Sequence, residues 1–345
     1  MKTVKTFACY NTSKDVRLAS SSGAIFSLLA DYVLKLHGIV YGVAMSEDCY
    51  SAEFISVSEE KELYRLRGSK YLQAKIGSTF LRVKNDLISG KMVLFTGTGC
   101  QVNGLKSFLR KDYDNLVCVD VICHGVSSPE LWKDYVSYLE SNMGGKLRTV
   151  NFRCKDENWA NFGMKKKLDD NFKQLTISKE NDPYMQMFLR NYSLRPSCYN
   201  CFAKKLKKSD LSIGDFWGIN SVAPELNDGM GTSLVLIRTD KGQTMFDIIS
   251  KKMNFKQVSY EDGVKANPVE YISSSRPIER DCFFHDMHLL SFNELSNKYI
   301  VPLKYSFITK FIRFVKNIVR KIIYLFSKER ISYDYFLGFL FDSKE

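Results

Sequence analysis

The chain contains the stretch Met92-Val-Leu-Phe-Thr-Gly-Thr-Gly-Cys-Gln101, in which an apolar run passes into a glycine-rich turn. The run predicts a short buried strand over 92–96, and the residues after the turn predict a helix over 102–109. Further along, the apolar residues 116–122 predict a second buried strand. Strand, helix and strand in this order are typical of a right-handed crossover between parallel strands.

Cysteines follow both predicted strands. Cys100 comes after the first strand, and Cys123 lies in Asp120-Val-Ile-Cys-His-Gly125 after the second. In open α/β sheets, ligands bind beyond the carboxyl ends of the strands. If the two strands are neighbours, both thiols emerge at the same edge of the sheet. We therefore expect Cys100 and Cys123 to share one binding site.

The rest of the chain extends this α/β pattern. Apolar spacing and turn residues predict further helices over 24–36, 80–88, 130–139 and 182–191, strands over 39–45 and 234–237, and short strands and turns over 149–177. The helix over 130–139 has Ser128 as its expected N-cap. We predict an α/β fold with a mostly parallel sheet flanked by helices, a smaller irregular α+β region that carries cysteines, and a C-terminal amphipathic helix.

Composition and charge narrow the classes of function. The chain has 345 residues, 45% hydrophobic and 26% charged, which is typical of a folded protein rather than a disordered one. The formal net charge of +12 favours an anionic partner: a phosphorylated cofactor, nucleic acid or an anionic membrane surface. No apolar run reaches the length of about 18 residues that a membrane span needs.

Cysteine usage bears on the cellular compartment. The chain has nine cysteines, an odd number, and the segment before Asn11 is too short and polar to be the apolar core of a secretion signal. A disulfide framework is therefore not expected, and we predict a cytoplasmic location, where thiols stay reduced.

Two further cysteines form a close pair, Cys198 and Cys201, in Arg195-Pro-Ser-Cys-Tyr-Asn-Cys201. Such a pair can bind one metal centre from a single loop. Together with Cys100 and Cys123 it provides four thiols, which suit either an iron–sulfur cluster or a structural zinc ion. Cys118 lies inside the second predicted strand and is expected in the core, whereas Cys9, Cys49, Cys154 and Cys282 lack a partner at metal-binding spacing. Cys154, in Phe152-Arg-Cys-Lys155, is the alternative ligand to one of the four.

Other motifs have both a functional and a structural interpretation. The glycines of the 96–101 turn and the helix that follows can turn backbone amides toward an anion, or they form a simple tight turn. Ser20-Ser-Ser-Gly23 is either an anion site or a helix cap. Asp215-Phe-Trp-Gly218 lines a flat cofactor or packs in the core. His124 is either a catalytic group or a structural polar residue.

The segment over 304–328 predicts a basic amphipathic helix. Its apolar residues form one stripe, and its polar face carries Lys and Arg without any acid. Such helices bind membrane surfaces, or they pack on the core or on a partner subunit. Nucleic-acid binding is not expected, because the basic residues come without a nucleic-acid motif.

Eight segments of the chain occur together in a fixed order. They are Ser20-Ser-Ser-Gly-Ala-Ile-Phe26, Gly38-Ile-Val-Tyr-Gly42, Arg67-Gly-Ser-Lys-Tyr71, Val93-Leu-Phe-Thr-Gly-Thr-Gly-Cys-Gln101, Val119-Asp-Val-Ile-Cys-His-Gly125, Asn151-Phe-Arg153, Arg195-Pro-Ser-Cys-Tyr-Asn-Cys201 and Ser212-Ile-Gly-Asp-Phe-Trp-Gly218. In these segments and their order the chain resembles the beta-subunit family of coenzyme F420 hydrogenases and dehydrogenases, and the resemblance covers about residue 8 to residue 275.

The resemblance implies an iron–sulfur flavoprotein oxidoreductase with a 4Fe-4S cluster and FAD or FMN, and with coenzyme F420 as the acceptor of some members. It implies that the cluster ligands are Cys100, Cys123, Cys198 and Cys201. Residues expected around the flavin are Ser21, Ser22, Gly23, Ser69, Lys70, Tyr71, Gly97, Thr98 and Gly99, with Asp215 and Trp217 added from their motif. The candidate catalytic residues are Lys70, which pairs with a phosphate or polarises the flavin ring, and His124.

This interpretation divides the chain into three regions. Residues 1–145 form the α/β flavin-binding region, 146–300 form the cysteine-bearing α+β region that completes the same catalytic core, and 301–345 form the basic helical tail. The tail is not part of the core that the family shares. We expect this tail to bind the inner face of the membrane, so that part of the protein is located there.

Three departures from the family pattern affect the expected partners. Many relatives carry an N-terminal ferredoxin-like module, whereas only Cys9 precedes residue 49 here. Gly99 stands where relatives usually have proline, and Ala24 stands where they have a second glycine. We therefore expect an external electron carrier such as ferredoxin and a small-molecule acceptor, with a link to surface polysaccharide biosynthesis suggested by similar stand-alone members. The alternative is a zinc-stabilised binding or scaffold protein without redox activity.

Overall fold

The computed structural model describes residues 4–156, 158–169 and 174–300. The strands are β1 Lys5–Asn11, β2 Ile39–Met45, β3 Ala52–Val57, β4 Ala74–Lys75, β5 Val93–Thr98, β6 Leu116–Val121, β7 Leu147–Cys154, β8 Gly163–Leu168, β9 Gln174–Ser178, β10 Leu211–Asp215, β11 Ser233–Ile237 and β12 Met253–Val258. The helices are α1 Lys14–Leu18, α2 Ile25–Lys35, α3 Thr79–Ile88, α4 Gly99–Leu109, α5 Pro129–Met143, α6 Pro183–Leu189, α7 Phe202–Lys205, α8 Ile219–Val222, α9 Asp240–Ser250, α10 Tyr260–Lys265, α11 Arg280–Met287 and α12 Phe292–Tyr299. Short 3-10 helices lie at Glu60–Arg65, Pro196–Cys198, Pro224–Leu226 and Pro268–Glu270.

A large mixed sheet contains nine of these strands, in the order β12-β1-β11-β10-β6-β5-β2-β3-β4. Its centre, β10-β6-β5-β2, is parallel, and β11, β1 and β12 extend it with antiparallel pairs on one side. A second sheet, β7-β8-β9, is antiparallel. The predicted α/β class with a mostly parallel sheet, flanking helices and a smaller α+β region is therefore confirmed.

Successive side chains of β5 point to opposite faces of the large sheet, and helices cover both of these faces. Val93 and Phe95 pack on one face with residues such as Trp132 of α5, and Leu94 packs on the other with residues such as Leu29 of α2. All of these side chains are buried. A central strand that is buried on both faces has to be apolar throughout, which is why this run was recognisable in the sequence.

The predicted elements of the central region occur close to their expected positions. The strand predicted over 39–45 spans Ile39–Met45, and the helix predicted over 24–36 spans Ile25–Lys35. Ser128 is the N-cap of α5 as predicted, and its hydroxyl accepts from the N–H of Glu130 at 3.2 Å. The three regional boundaries stay predictions; strands β1–β6 and β10–β12 share the large sheet.

The predicted basic helix over 304–328 lies outside the described residues. Among the helices that are described, none has the length and apolar character needed to cross a lipid bilayer.

Candidate functional site

The two cysteines at the strand ends lie side by side at one edge of the large sheet. β5 and β6 are parallel, and their register pairs Thr98 with Val121. Cys100 and Cys123 each come two residues after this last pair, so the strands carry both thiols to the same level. Cys100 is the second residue of α4, where the Gln101 side chain accepts from the N–H of Thr98 at 2.8 Å and fixes the turn.

The Cys198–Cys201 loop reaches this edge because its chain pairs with the residues that follow Cys123. Ser127 and Leu194 form an antiparallel bridge, and the N–H of Arg195 donates to the carbonyl of Val126 at 2.9 Å. Lys204, three residues after Cys201, donates from Nζ to the carbonyl of Cys123. Pairing between distant segments therefore brings both cysteines of the loop beside Cys123.

The four thiols lie close enough to influence one another electrostatically. Burial raises the pKa of Cys123 to about 12; nearby Lys204 lowers it, and the other three thiols raise it. The pKa of Cys198 is also raised, mainly by burial and further by Cys100 and Cys201. Among the described residues, however, no group of three or more His, Cys, Asp or Glu side chains converges tightly enough to hold a single metal ion.

A cavity of about 580 Å³ opens next to these thiols, and Cys123 forms part of its wall. This volume lies within the range of pockets that bind small molecules and cofactors, roughly 300 to 1,000 Å³. The predicted residues that line the cavity are Ser21, Ser22, Ser69, Lys70, Tyr71, Gly97, Thr98, His124, Asp215 and Trp217. The structure thus brings together most of the residues that the motifs had assigned to a cofactor.

Among the described residues that line the cavity, two of the predicted glycines, Gly23 and Gly99, are missing. A Cβ on Gly23 would come within 2.5 Å of the Cys9 carbonyl oxygen, and one on Gly99 within 2.9 Å of Asp120 Oδ2. Both glycines therefore permit close packing behind the wall, of the serine turn on β1 and of α4 on β6. By contrast, Gly97 does lie in the wall.

Positive charge dominates the cavity. Its lining includes four basic side chains, Arg67, Lys70, Arg153 and Lys179, against one acid, Asp215. A low-dielectric cleft lined by one sign of charge concentrates the field, so this cavity favours an anionic ligand.

Lys70 and the serines form one end of this lining. Ser21 Oγ accepts from the N–H of Ser69 at 2.8 Å, and Lys70 Nζ donates to the carbonyl oxygens of Arg65 and Arg67 at 3.1 and 2.8 Å. Burial lowers the pKa of Lys70 to about 7. The amine therefore changes charge near neutral pH, where an anionic ligand would favour its protonated form.

Arg153 and aromatic rings form another part of the lining. The guanidinium pairs with Asp215 at 2.6 Å, and its carbon lies 3.9 Å from the centre of the Phe162 ring and 5.5 Å from that of Trp217. Trp217 stacks on Trp159 with ring centres 4.8 Å apart. This arrangement presents a half-exposed, flat aromatic surface beside fixed positive charge.

His124 lies between the thiols and the aromatic wall. Its ring packs edge-to-face with the ring of Phe188, with the ring centres 5.2 Å apart. Phe188 in turn stacks on Tyr71, with the ring centres 5.0 Å apart. Burial lowers the pKa of His124, so its imidazole is neutral at pH 7. Its Nε2 atom is buried, and the side chain of Asn191 acts to raise the imidazole pKa against the larger effect of burial.

Sequence reasoning missed Arg153, Lys179 and Phe188 as site residues. Arg153 stood within one of the segments that carry the family resemblance, and this was the signal that could have identified it. Lys179 and Phe188 belong to no such segment, and they reach the cavity through the way β9 and α6 pack.

Comparison with known proteins places the chain in a family. No curated protein matches it significantly. Among solved structures, a chain in the study titled as the xenon derivatization of the F420-reducing NiFe hydrogenase complex from Methanosarcina barkeri has a TM-score of 0.53 and 16% identity, over 78% of this chain and 88% of that one. At this identity the match shows a shared fold. Residues 90–262, half of the chain, match the family described as the C terminus of the coenzyme F420 hydrogenase/dehydrogenase beta subunit, and the chain therefore belongs to this family of redox-enzyme subunits.

Proposed function

We propose that this protein is an iron–sulfur flavoprotein oxidoreductase that passes electrons between a 4Fe-4S cluster and a flavin, and from there to a small-molecule acceptor. One observation carries the proposal. Four cysteines from three segments of the chain lie together beside a cationic cavity with aromatic walls, and one of them, Cys123, lines that cavity.

The donor set fits a cluster better than it fits zinc. A structural zinc ion needs four ligands in a tight tetrahedron with Zn–S distances of about 2.3 Å. Zinc sites of this kind usually draw their cysteines from two close pairs, whereas here only Cys198 and Cys201 form a close pair and Cys100 and Cys123 follow two different strands. In a 4Fe-4S cluster each thiolate binds a different iron atom, so the thiols stand further apart. Cys100, Cys123, Cys198 and Cys201 would hold the cluster, and the zinc-stabilised scaffold is the weaker alternative.

The cavity residues fit a flavin. Ser21, Ser69 and Lys70 offer two hydroxyls and a cation for the phosphate of FMN or the phosphates of FAD. Tyr71 and Trp217 offer aromatic surface for the ring system. When bound, a flavin would supply exchange between one-electron and two-electron chemistry, whereas the protein provides binding and orientation.

Two side chains of the cavity have proton chemistry suited to a redox reaction. Lys70, with a pKa of about 7, changes charge near neutral pH and can follow the charge of a bound ligand. Burial lowers the pKa of His124, and its imidazole lies in the cavity wall. We assign Lys70 to charge balance at the flavin and His124 to hydrogen bonding or proton transfer with the acceptor.

The acceptor, the donor and the location belong to the same proposal. The family supports coenzyme F420 as one acceptor, and the net charge of +12 is compatible with this or another anionic molecule. An external carrier such as ferredoxin would supply electrons. We place the protein in the cytoplasm, with membrane contact through the 304–328 segment and a role in surface polysaccharide biosynthesis as further proposals.

Anaerobic purification with analysis of iron, sulfide, zinc and flavin tests the central claim. We expect about four iron and four sulfide per chain, bound flavin, and broad visible absorption that bleaches on reduction. Stoichiometric zinc without sulfide would support the scaffold alternative, and protein without iron, zinc or flavin would refute both.

A further inference from the structure

We propose that the surface around the Cys201 loop docks an acidic protein that carries electrons. We define this docking face by Phe202, Lys205, Lys208, Tyr271 and Ile272. The inference rests on the proposed function, because it assigns a partner to the cluster that the four cysteines would hold.

The docking face exposes large apolar side chains from two segments next to a predicted cluster ligand, Cys201. Phe202 directly follows Cys201 and is 67% exposed, and Tyr271 and Ile272 are 49% and 53% exposed. The N–H of Cys201 donates to Ser273 Oγ at 2.9 Å, which fixes the two segments next to each other. Exposed apolar residues that cluster in this way mark interaction sites more often than single ones do.

The charge of the same surface specifies the partner. From Arg190 to Ser209 the chain carries six cations and no acid, and Lys205 and Lys208 are exposed. The neighbouring acid Glu270 is buried and paired with Lys207 at 3.0 Å and with Arg238. Because no free carboxylate offsets these lysines within the loop, the docking face is complementary to an acidic protein.

The docking face also adjoins two of the four thiols, those of Cys201 and Cys100. Cys100 is exposed at the start of α4, and the lysine loop lies against that helix: Asn103 Nδ2 donates to the Leu206 carbonyl at 2.8 Å, and Lys208 Nζ to Ser107 Oγ at 3.3 Å. Phe202, Lys205 and Lys208 do not line the cavity. A carrier bound here would therefore reach the cluster while the cavity stays open to an acceptor.

Binding of a bacterial two-cluster 4Fe-4S ferredoxin of net negative charge tests the docking face. The full-length protein is titrated with the oxidised ferredoxin by calorimetry at about 0.02 M and about 0.5 M salt. The Debye length, over which charges act on one another, is much shorter at the higher salt concentration. We expect wild-type binding to weaken with salt. The variant Lys205→Glu/Lys208→Glu should bind about tenfold more weakly at low salt. The control variant Lys133→Glu/Lys251→Glu, which makes the same change in net charge at other exposed sites, should bind within about twofold of wild type.

The outcomes separate this inference from the proposed function. Absence of wild-type binding, unchanged binding in the Lys205→Glu/Lys208→Glu variant, or an equal loss in the control variant would each overturn the docking face. Protein without iron that still binds ferredoxin through these lysines would refute the proposed electron transfer but support the docking face. In iron-loaded protein, reduction by a small neutral reductant should be the same in all variants.

Discussion

Arg153 of β7 and Asp215 of β10 form an ion pair that joins the small sheet to the large one at the wall of the cavity. Arg153 Nη1 lies 2.6 Å from Asp215 Oδ2, and Nη2 lies 3.3 Å from Oδ1. The side chain of Arg153 is 2% exposed and that of Asp215 is 15% exposed. Burial acts to lower the pKa of Arg153, but Asp215 and Tyr71 raise it above its ordinary value, so the cation is maintained.

Breaking this pair should destabilise the protein strongly. Asp215→Ala leaves the Arg153 guanidinium buried and without its carboxylate, and we expect the free energy of unfolding to fall by about 3 kcal/mol. Urea denaturation followed by circular dichroism measures this. The more exposed pair of Arg148 in β7 and Asp169, the residue after β8, provides the control, and Asp169→Ala should have a much smaller effect.

A double variant separates stability from ligand binding at this pair. Arg153→Met/Asp215→Leu removes both charges, so it should recover most of the stability that Asp215→Ala loses. Flavin content should nevertheless fall below that of the wild type, because the guanidinium in the cavity wall is gone. Full flavin content in this double variant would show that Arg153 is purely structural.

Lys70 should make flavin binding depend on pH near neutrality. Burial lowers its pKa to about 7, so in the free protein the amine is mostly protonated below pH 7 and mostly neutral above it. A phosphate binds the cation better, so the Kd of FMN or FAD should rise as pH increases from about 6 to about 9. Fluorescence titration of flavin-depleted protein measures this.

Two variants isolate the contribution of Lys70. Lys70→Arg keeps a charge at every pH in this range, so this part of the pH dependence should disappear while binding stays tight. Lys70→Met should bind weakly at all pH values, with the same loss of pH dependence. A smaller pH dependence of flavin binding should remain in both variants, because Lys155 is unchanged in them. The pKa of Lys155 is also lowered to about 7, and its amine donates to three carbonyl oxygens. A pH profile unchanged in both variants would exclude Lys70 as its source.

The four predicted ligands should be separable from the other cysteines by iron content. Cys100→Ser, Cys123→Ser, Cys198→Ser and Cys201→Ser should each lower iron well below four per chain, because serine is a poor replacement for a thiolate ligand. The matched control is Cys282→Ser, which changes an exposed cysteine outside the site. The iron and sulfide content of all five variants is measured after anaerobic purification. Wild-type iron content in any of the first four would remove that residue from the ligand set.

The parts of the fold that the sequence predicted are those with local signals. The apolar runs of β2 and β5 are buried on both faces, and glycines or prolines mark many of the neighbouring boundaries. The strands β1 and β12, at one side of the large sheet, gave no such signal. In β12, Met253–Val258, most residues are exposed, and the strand exists because Thr6 to Asn11 pair with it across the length of the chain.

The same distinction applies to the site. Cys100 and Cys123 were predictable as neighbours because strand order and parallel direction place them on one edge. Lys179 was not predictable, because it reaches the cavity from the small sheet, where its Nζ donates to the Ala160 carbonyl at 2.6 Å. The position of that sheet depends on long-range contacts such as Arg153 with Asp215, and no periodic pattern encodes them.

The predicted helix over 304–328 should account for any binding to anionic membranes. Its polar face carries only positive charge, so a chain that ends at Pro302 should lose binding to vesicles that contain phosphatidylserine. Vesicle co-sedimentation measures this, with neutral phosphatidylcholine vesicles as the control. Iron and flavin content should be unchanged. Equal vesicle binding by the truncated and full-length proteins would show that the 304–328 segment does not account for membrane binding.

The buried Asp182 should be far more important for stability than an ordinary helix cap. As N-cap of α6 it accepts from the N–H of Met185 at 3.0 Å, and it also accepts from Tyr135 at 2.6 Å and pairs with Lys166. The side chains of Asp182 and Lys166 are fully buried. Asp182→Ala therefore removes a cap and leaves a buried ammonium unpaired, for which we expect a loss of about 3 to 5 kcal/mol.

Ser128 provides a matched comparison, because it caps α5 and is likewise followed by proline at the first helical position. Ser128→Ala removes only a cap and should cost about 1 kcal/mol. Asp182→Asn keeps an oxygen that can accept from Met185 but loses the charge opposite Lys166. If the ion pair is the larger contribution, Asp182→Asn should resemble Asp182→Ala in urea denaturation, whereas a loss close to that of Ser128→Ala would assign the effect to the cap.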